Sequence, residues 1–232
     1  MIGRVARGLD YQERFARFAV RAGLLRFGRF TTKSGRASPY FFNTGGCADG
    51  AALSELGGYY AAAIADRFPD ATVLFGPSYK GITLAAAAAM ALSRDRAQPV
   101  GFCFDRKERK EHGEGGLLVG RLPAEADRVV IVDDVVTDGA SKRYAIELLQ
   151  REAGVRPTGL LVAVDRQERG DGDRSALAEL SDEFDLPAAA IATIGQIVDV
   201  LSRQPVDGRT VIDGELRGRI EAYLQKYAPR VR

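Results

Sequence analysis

Residues 129–141 read Val-Val-Ile-Val-Asp-Asp-Val-Val-Thr-Asp-Gly-Ala-Ser. Four consecutive β-branched residues favour a strand buried on both faces, as in a parallel sheet. Asp133 and Asp134 then fall at the carboxyl end of that strand, where open α/β sheets bind their ligands. Val135, Val136, Thr137, Asp138, Gly139, Ala140 and Ser141 follow as a short loop that runs into a helix. Its backbone N–H groups and hydroxyls suit a phosphate. Two acids followed by a phosphate loop describe a site for a phosphorylated sugar whose hydroxyls face the carboxylates. The loop has neither the Gly-Lys-Ser/Thr of an ATP-binding loop nor the Gly-x-Gly-x-x-Gly of a dinucleotide fold. The plain alternative is a core strand with a surface turn. A double acid, a hydroxyl-rich turn and a helix start in one place argue against it.

Three further segments carry charge or small residues where a strand should end. Gly76-Pro77-Ser78-Tyr79-Lys80-Gly81 lets a backbone approach a ligand and adds one cation at a helix start, which suits a pyrophosphate. Arg106-Lys107-Glu108-Arg109-Lys110-Glu111-His112-Gly113-Glu114-Gly115-Gly116 places four cations within five positions and ends in glycines. A solvated surface loop is the usual account of such a run; beside a phosphate site it reads instead as a mobile lid that closes on anions. In Asp165-Arg166-Gln167-Glu168-Arg169-Gly170, Arg166 could clamp a substrate carboxylate or form an internal ion pair.

These segments need a scaffold that brings strand ends together. From residue 72 onward the pattern repeats strand, loop and helix: strands at 72–75, 100–104, 129–132 and 159–164, and helices at 81–92 and 141–152. That alternation predicts an α/β fold with a central parallel sheet covered by helices on both faces. Ahead of it, Asp10 is placed to cap a first helix carrying Phe15, Phe18, Ala22 and Leu25 on one face. Short strands follow at 30–32 and 40–42, then a helix at about 52–67. The last third adds a strand at 189–193 and helices near 196–201 and 215–227. The N-terminal elements are expected to form a small lobe over the strand ends.

Composition narrows the function. The chain has 232 residues and a formal net charge of +2, so charge gives no case for nucleic acid. The longest uncharged apolar run, 82–92, is about half of a membrane span, and the N-terminus lacks the apolar stretch of a secretory signal. Two cysteines, Cys47 and Cys103, suit packing in a reducing compartment and imply a cytoplasmic protein. One histidine and two separated cysteines exclude the usual zinc ligand sets.

Lys33-Ser34-Gly35-Arg36 and Ser38-Pro39-Tyr40-Phe41-Phe42-Asn43, taken with the four segments above in this order, resemble the orotate phosphoribosyltransferases. These are members of the type I phosphoribosyltransferase family, which uses phosphoribosyl pyrophosphate (PRPP). The motifs lie between about residues 33 and 170. The resemblance implies one domain, with hood elements over about 1–48 and an α/β core with C-terminal helices over about 49–232. It also implies a magnesium-dependent, homodimeric transferase of pyrimidine biosynthesis. By that resemblance Lys33, Tyr79, Lys80, Arg106, Lys107, Lys110 and His112 contact PRPP, together with Asp133, Asp134, Val135, Val136, Thr137, Asp138, Gly139, Ala140 and Ser141. Phe41 and Phe42 flank the orotate ring, and Thr137 and Arg166 bind it. Lys110, Lys107, His112, Asp133 and Asp134 are the catalytic candidates, with Lys110 and His112 reaching the neighbouring subunit. Mg²⁺ is held through PRPP and water, with Asp133 and Asp134 as candidate ligands. The loop departs from the family pattern at two positions: Ala140 lacks a hydroxyl, and Asp138 brings a charge, expected to point to solvent or to cap the following helix. The alternatives are a transferase for a purine or for uracil, and a PRPP-sensing regulator with the same fold.

Overall fold

The computed structural model describes residues 6–32, 34–110, 116–137, 139–170 and 172–230. The chain begins with α1 (Ala6–Arg21), a hairpin of β1 (Leu25–Thr31) and β2 (Ala37–Phe42), and α2 (Gly50–Arg67). The core continues through β3 (Val73–Gly76), α3 (Lys80–Arg96), β4 (Gly101–Lys110), β5 (Gly116–Gly120) and β6 (Val129–Val135). It finishes with α4 (Ala140–Ala153), β7 (Gly159–Asp165), α5 (Ala176–Phe184), β8 (Ala188–Thr193), α6 (Ile194–Arg203) and α7 (Gly214–Tyr227). Among the described residues no helix is long and apolar enough to cross a membrane.

The main sheet runs β5-β4-β3-β6-β7-β8. Every neighbouring pair is parallel except β4 with β5, which is antiparallel. Side chains alternate across a strand, and the burial follows that period. Leu74, Val130, Val132, Leu161 and Ala163 join α2, α3 and α6 in one apolar cluster. Val73, Phe75, Ile131, Leu160 and Val162 join α4 and α5 in the other. Burial on both faces is why these strands read as continuous apolar runs. The second sheet is the β1–β2 hairpin, against which α7 packs.

Chain order reverses between β3 and β6. The chain leaves β3 through α3 to reach β4 on one side, and β6 lies on the other. The carboxyl ends of β3 and β6 therefore flank a crevice of the kind that binds ligands in open α/β sheets.

Four expectations need correction. Leu25, expected on the apolar face of the first helix, lies in β1, since that helix ends at Arg21. The first helix starts at Ala6, so Asp10 lies inside it and is not its cap; the residues ahead of it are mostly good helix formers. The charged segment from Arg106 is not a loop throughout. Its first half extends β4 to Lys110, which pairs with Gly116 of β5. The charges of 106–110 hide the continuation of the strand, and β5 is a five-residue segment with one fully buried side chain, Leu118, so β5 and the antiparallel edge escaped the sequence reading. Helix α5 was also not foreseen, although Ser175 caps it by accepting from the Ala178 N–H.

The α2–α3 layer is tight at one point. A Cβ added to Gly57 would lie 2.6 Å from the Ala87 carbonyl oxygen. Gly57→Ala should therefore destabilise the fold by about 1–3 kcal/mol, seen as a lower urea midpoint with an unchanged slope.

Candidate active site

The crevice opens into a cleft of about 660 Å³, walled by both sheets. From the main sheet it takes Pro77 to Lys80, Asp133 to Thr137, Ser141, Lys142 and the segment Asp165, Arg166, Glu168 to Gly170. From the hairpin it takes Thr31, Thr32, Ser34, Arg36, Phe41 and Phe42.

Asp133 and Asp134 lie just before Val135, the last residue of β6, and strand alternation turns them to opposite sides. Asp133 is buried and Lys142 of α4 meets its Oδ2 at 2.6 Å. Its Oδ1 accepts the Asp134 N–H at 2.8 Å, and its own carbonyl accepts the Tyr60 hydroxyl at 2.7 Å. Burial pushes the Asp133 carboxyl up from its ordinary range, Lys142 pulls it back, and Asp134 pushes it up again. Asp134 turns towards the first residue of α3: Lys80 Nζ lies 2.6 Å from its Oδ2. Both pairs have the same length, yet their settings differ. The Lys142 side chain is 5% exposed and the Lys80 side chain 50%.

The phosphate loop needs its glycine. Gly139 adopts φ +75°, in the left-handed region that favours glycine, and a Cβ there would also crowd Arg143 and Leu180. It is the N-cap of α4, with no side-chain cap. Thr137 and Ser141 border the cleft. The β3–α3 loop is held by Asp105 at the core of β4, whose carboxylate accepts from the Ser78 N–H at 2.6 Å and from its hydroxyl at 2.8 Å. Close passage of Gly76 and Gly81 leaves no room for a Cβ at Gly76.

At the other end, Glu168 gathers three partners. It accepts from Arg166 Nη2 at 2.7 Å, from Arg166 Nε at 3.0 Å and from the Tyr40 hydroxyl at 2.9 Å. Arg36 Nη1 lies 3.4 Å from its other oxygen. The internal ion pair anticipated for Arg166 is thus present, and the guanidinium also stacks over the Tyr40 ring at 4.6 Å. Burial opposes the Arg166 charge, but Tyr40 and Glu168 outweigh it and raise its pKa. This cluster ties the hairpin to the end of β7.

Phe41 and Phe42 both border the cleft from opposite faces of β2. Phe41 stacks on Phe30 with centroids 5.5 Å apart, and the Phe42 ring lies 6.4 Å from Phe15 in the core. Tyr79 is 67% exposed, and Lys107 Nζ stands 4.9 Å from its ring centroid. Arg106 and Lys107 lie on β4 outside the cleft lining. Lys33, His112 and Asp138 fall outside the described residues, as does the side chain of Lys110. Sequence reading missed Lys142, Asp105 as a loop anchor, and Glu168 as a hub. A lysine two residues into a helix looks solvated in sequence; only the fold shows that it points inward.

Among the described residues no group of three or more His, Cys, Asp or Glu side chains could cage a metal. Asp133 and Asp134 line the cleft, and each carboxylate meets a lysine.

A phosphoribosyl transferase domain model matches residues 55–186. The chain is 44% identical over 219 residues to an orotate phosphoribosyltransferase of Lachnoclostridium phytofermentans, covering 94% of this chain and 97% of that protein. It is 45% identical over 220 residues to the orotate phosphoribosyltransferase of Pseudomonas aeruginosa, covering 94% and 98%. The fold superposes on the crystal structure of the Francisella tularensis orotate phosphoribosyltransferase with a TM-score of 0.80 at 34% identity, over 93% of this chain and 99% of that one.

The two acid–lysine pairs should separate in unfolding experiments. Lys80→Met removes a half-exposed lysine but leaves the buried Asp134 carboxylate without it, and should cost about 1–3 kcal/mol. Lys142→Met strands a buried carboxylate and should cost about 3–5 kcal/mol. Equal losses in urea titrations would contradict the difference in burial.

Proposed function

This chain belongs to the orotate phosphoribosyltransferase family, and we propose that its cleft transfers the phosphoribosyl group of PRPP to orotate, releasing pyrophosphate and forming orotidine 5′-monophosphate. The observation that carries the reading is the meeting, in one cleft, of the β6 carboxylate pair, the phosphate loop and the Arg166 guanidinium. The ribose hydroxyls are assigned to Asp133 and Asp134, the 5′-phosphate to Thr137 through Ser141, and the pyrophosphate to Tyr79 and Lys80. Orotate is assigned to Arg166, Thr137 and the Phe41 and Phe42 side of the hairpin.

The resting site balances its own charge. Lys80 is held by Asp134 and Arg166 by Glu168. A polyanionic substrate competes for the half-exposed Lys80 and so frees Asp134 to meet the ribose. Arg166 turns its Nε and Nη2 edge to one Glu168 oxygen, which sets the plane of the guanidinium that receives the orotate carboxylate. The reacting carbon passes through an oxocarbenium-like state, as in glycosyl transfer generally. Catalysis then rests on positioning and on cations that meet the charge of the departing pyrophosphate. Mg²⁺, when bound, neutralises part of that charge; Asp133 and Asp134 would hold it, directly or through water.

The β4–β5 hairpin carries Lys107 and Lys110. We assign Lys107, Lys110 and His112 to the pyrophosphate, with Lys110 and His112 acting in the neighbouring subunit of a homodimer in the cytoplasm. The regulator alternative is disfavoured by the cationic hairpin beside the site.

Two experiments test this reading. Steady-state turnover with PRPP should favour orotate over uracil by roughly 10⁴ or more in kcat/KM, because a site built for a charged group rejects an analogue without it. Comparable use of uracil or hypoxanthine overturns the orotate assignment. Lys110→Ala should lower kcat by about 10²–10³ while the protein stays folded. Heterodimers of Lys110→Ala with Asp134→Asn subunits should regain activity, since one site then has neither lesion. Verified heterodimers without recovery would mean that each hairpin serves its own subunit.

A further inference from the structure

Lys142 is almost fully buried, yet no apolar helix face requires a lysine there. It sits in the first turn of α4, just past the phosphate loop, and its ammonium makes two short contacts. One is to Asp133 Oδ2 at 2.6 Å and the other to the Val135 carbonyl at 2.6 Å. Val135 is the last residue of β6 and the first of the loop. A single cation therefore bridges the carboxylate before the loop, the loop's entry, and the helix after it.

We propose that Lys142 is the positioning residue of the site: it fixes the Asp133 carboxylate and the mouth of the phosphate loop in one geometry, so that ribose and 5′-phosphate are received together. This rests on the assignment of Asp133 and the loop to PRPP. Three observations favour it. Asp133 has both oxygens engaged from inside the protein, so its orientation is set before substrate arrives. The other lysine of the acid pair is half-exposed and available to substrate, whereas Lys142 is not. The Asp133 backbone is pinned independently by the buried Tyr60 hydroxyl, so Lys142 governs the carboxylate and the loop mouth and not the strand itself. A buried charge whose only task was stability would be a poor choice, because well-packed apolar residues serve that end as well or better.

The test compares wild type, Lys142→Met, Asp133→Asn and the double variant Asp133→Asn/Lys142→Met, with kcat, KM for each substrate and the unfolding midpoint measured for all. Outer partners of functional groups typically cost about 10–100-fold when removed. Lys142→Met should lower kcat/KM for PRPP by that factor and leave KM for orotate within about threefold. If Lys142→Met fails to fold, the double variant, which buries no unpaired charge, decides. It should lose less than about threefold more kcat/KM for PRPP than Asp133→Asn alone, the small part of the Lys142 effect that passes through the Val135 carbonyl and not through Asp133. A folded Lys142→Met with wild-type kcat/KM for PRPP overturns the proposal. So does a double variant whose loss is the product of the single losses, or one in which both substrates suffer equally. Failure of wild type to turn over PRPP with orotate would instead overturn the assignment on which the proposal rests.

Discussion

Two adjacent carboxylates at the end of a strand buried on both faces need polar partners on each side of the sheet. β6 meets that constraint through strand alternation: Asp133 faces the α4 side and Asp134 the α3 side. Each helix delivers one lysine from its first turns, Lys142 and Lys80. Both helices follow directly from neighbouring strands, so the order β3-β6 at the centre of the sheet places acids, lysines and two loop N-termini within one crevice. The hood completes it: Glu168 binds Arg166, Tyr40 and Arg36 and thereby ties the β1–β2 hairpin to the end of β7.

That arrangement gives the cleft charges of unequal mobility. The inner pair, Lys142 with Asp133, is shielded and fixed; in the outer pair the Asp134 carboxylate is buried and only Lys80 stands half in solvent. In a partly dehydrated site a charge–charge contact strengthens as water leaves, so a polyanion entering the cleft draws on the pair that can rearrange. Arg166 belongs with the fixed charges, since Glu168 sets the plane of its guanidinium.

Much of this was legible in the sequence. The β6 segment revealed itself because a strand buried on both faces must be continuously apolar, and Asp133-Asp134 breaks that run at once. The strand-loop-helix alternation gave the sheet, and the positions of Lys80, Thr137 and Arg166 at strand ends placed residues that do line one cleft. Other features were hidden for physical reasons. The charged end of β4 and the short β5, of which Leu118 alone is fully buried, carry too little periodicity to read. Lys142, Asp105 and Glu168 carry charges that look solvated in one dimension; their burial and partners appear only when the chain folds back, Lys142 onto β6, Asp105 onto Ser78 and Glu168 onto Tyr40 and Arg36. Asp10 resembles a cap only if the helix is assumed to start there.

The account's central claim is that the outer acid–lysine pair yields to substrate while the inner pair holds. A crystal structure with Mg²⁺ and PRPP bound tests it most directly. The account predicts Lys80 Nζ moved from Asp134 onto substrate phosphate oxygens, Asp134 turned to the ribose, and Lys142 still about 2.6 Å from Asp133. A complex in which Lys80 stays on Asp134 while Lys142 leaves Asp133, or in which PRPP lies away from the β6 carboxylates, would contradict it.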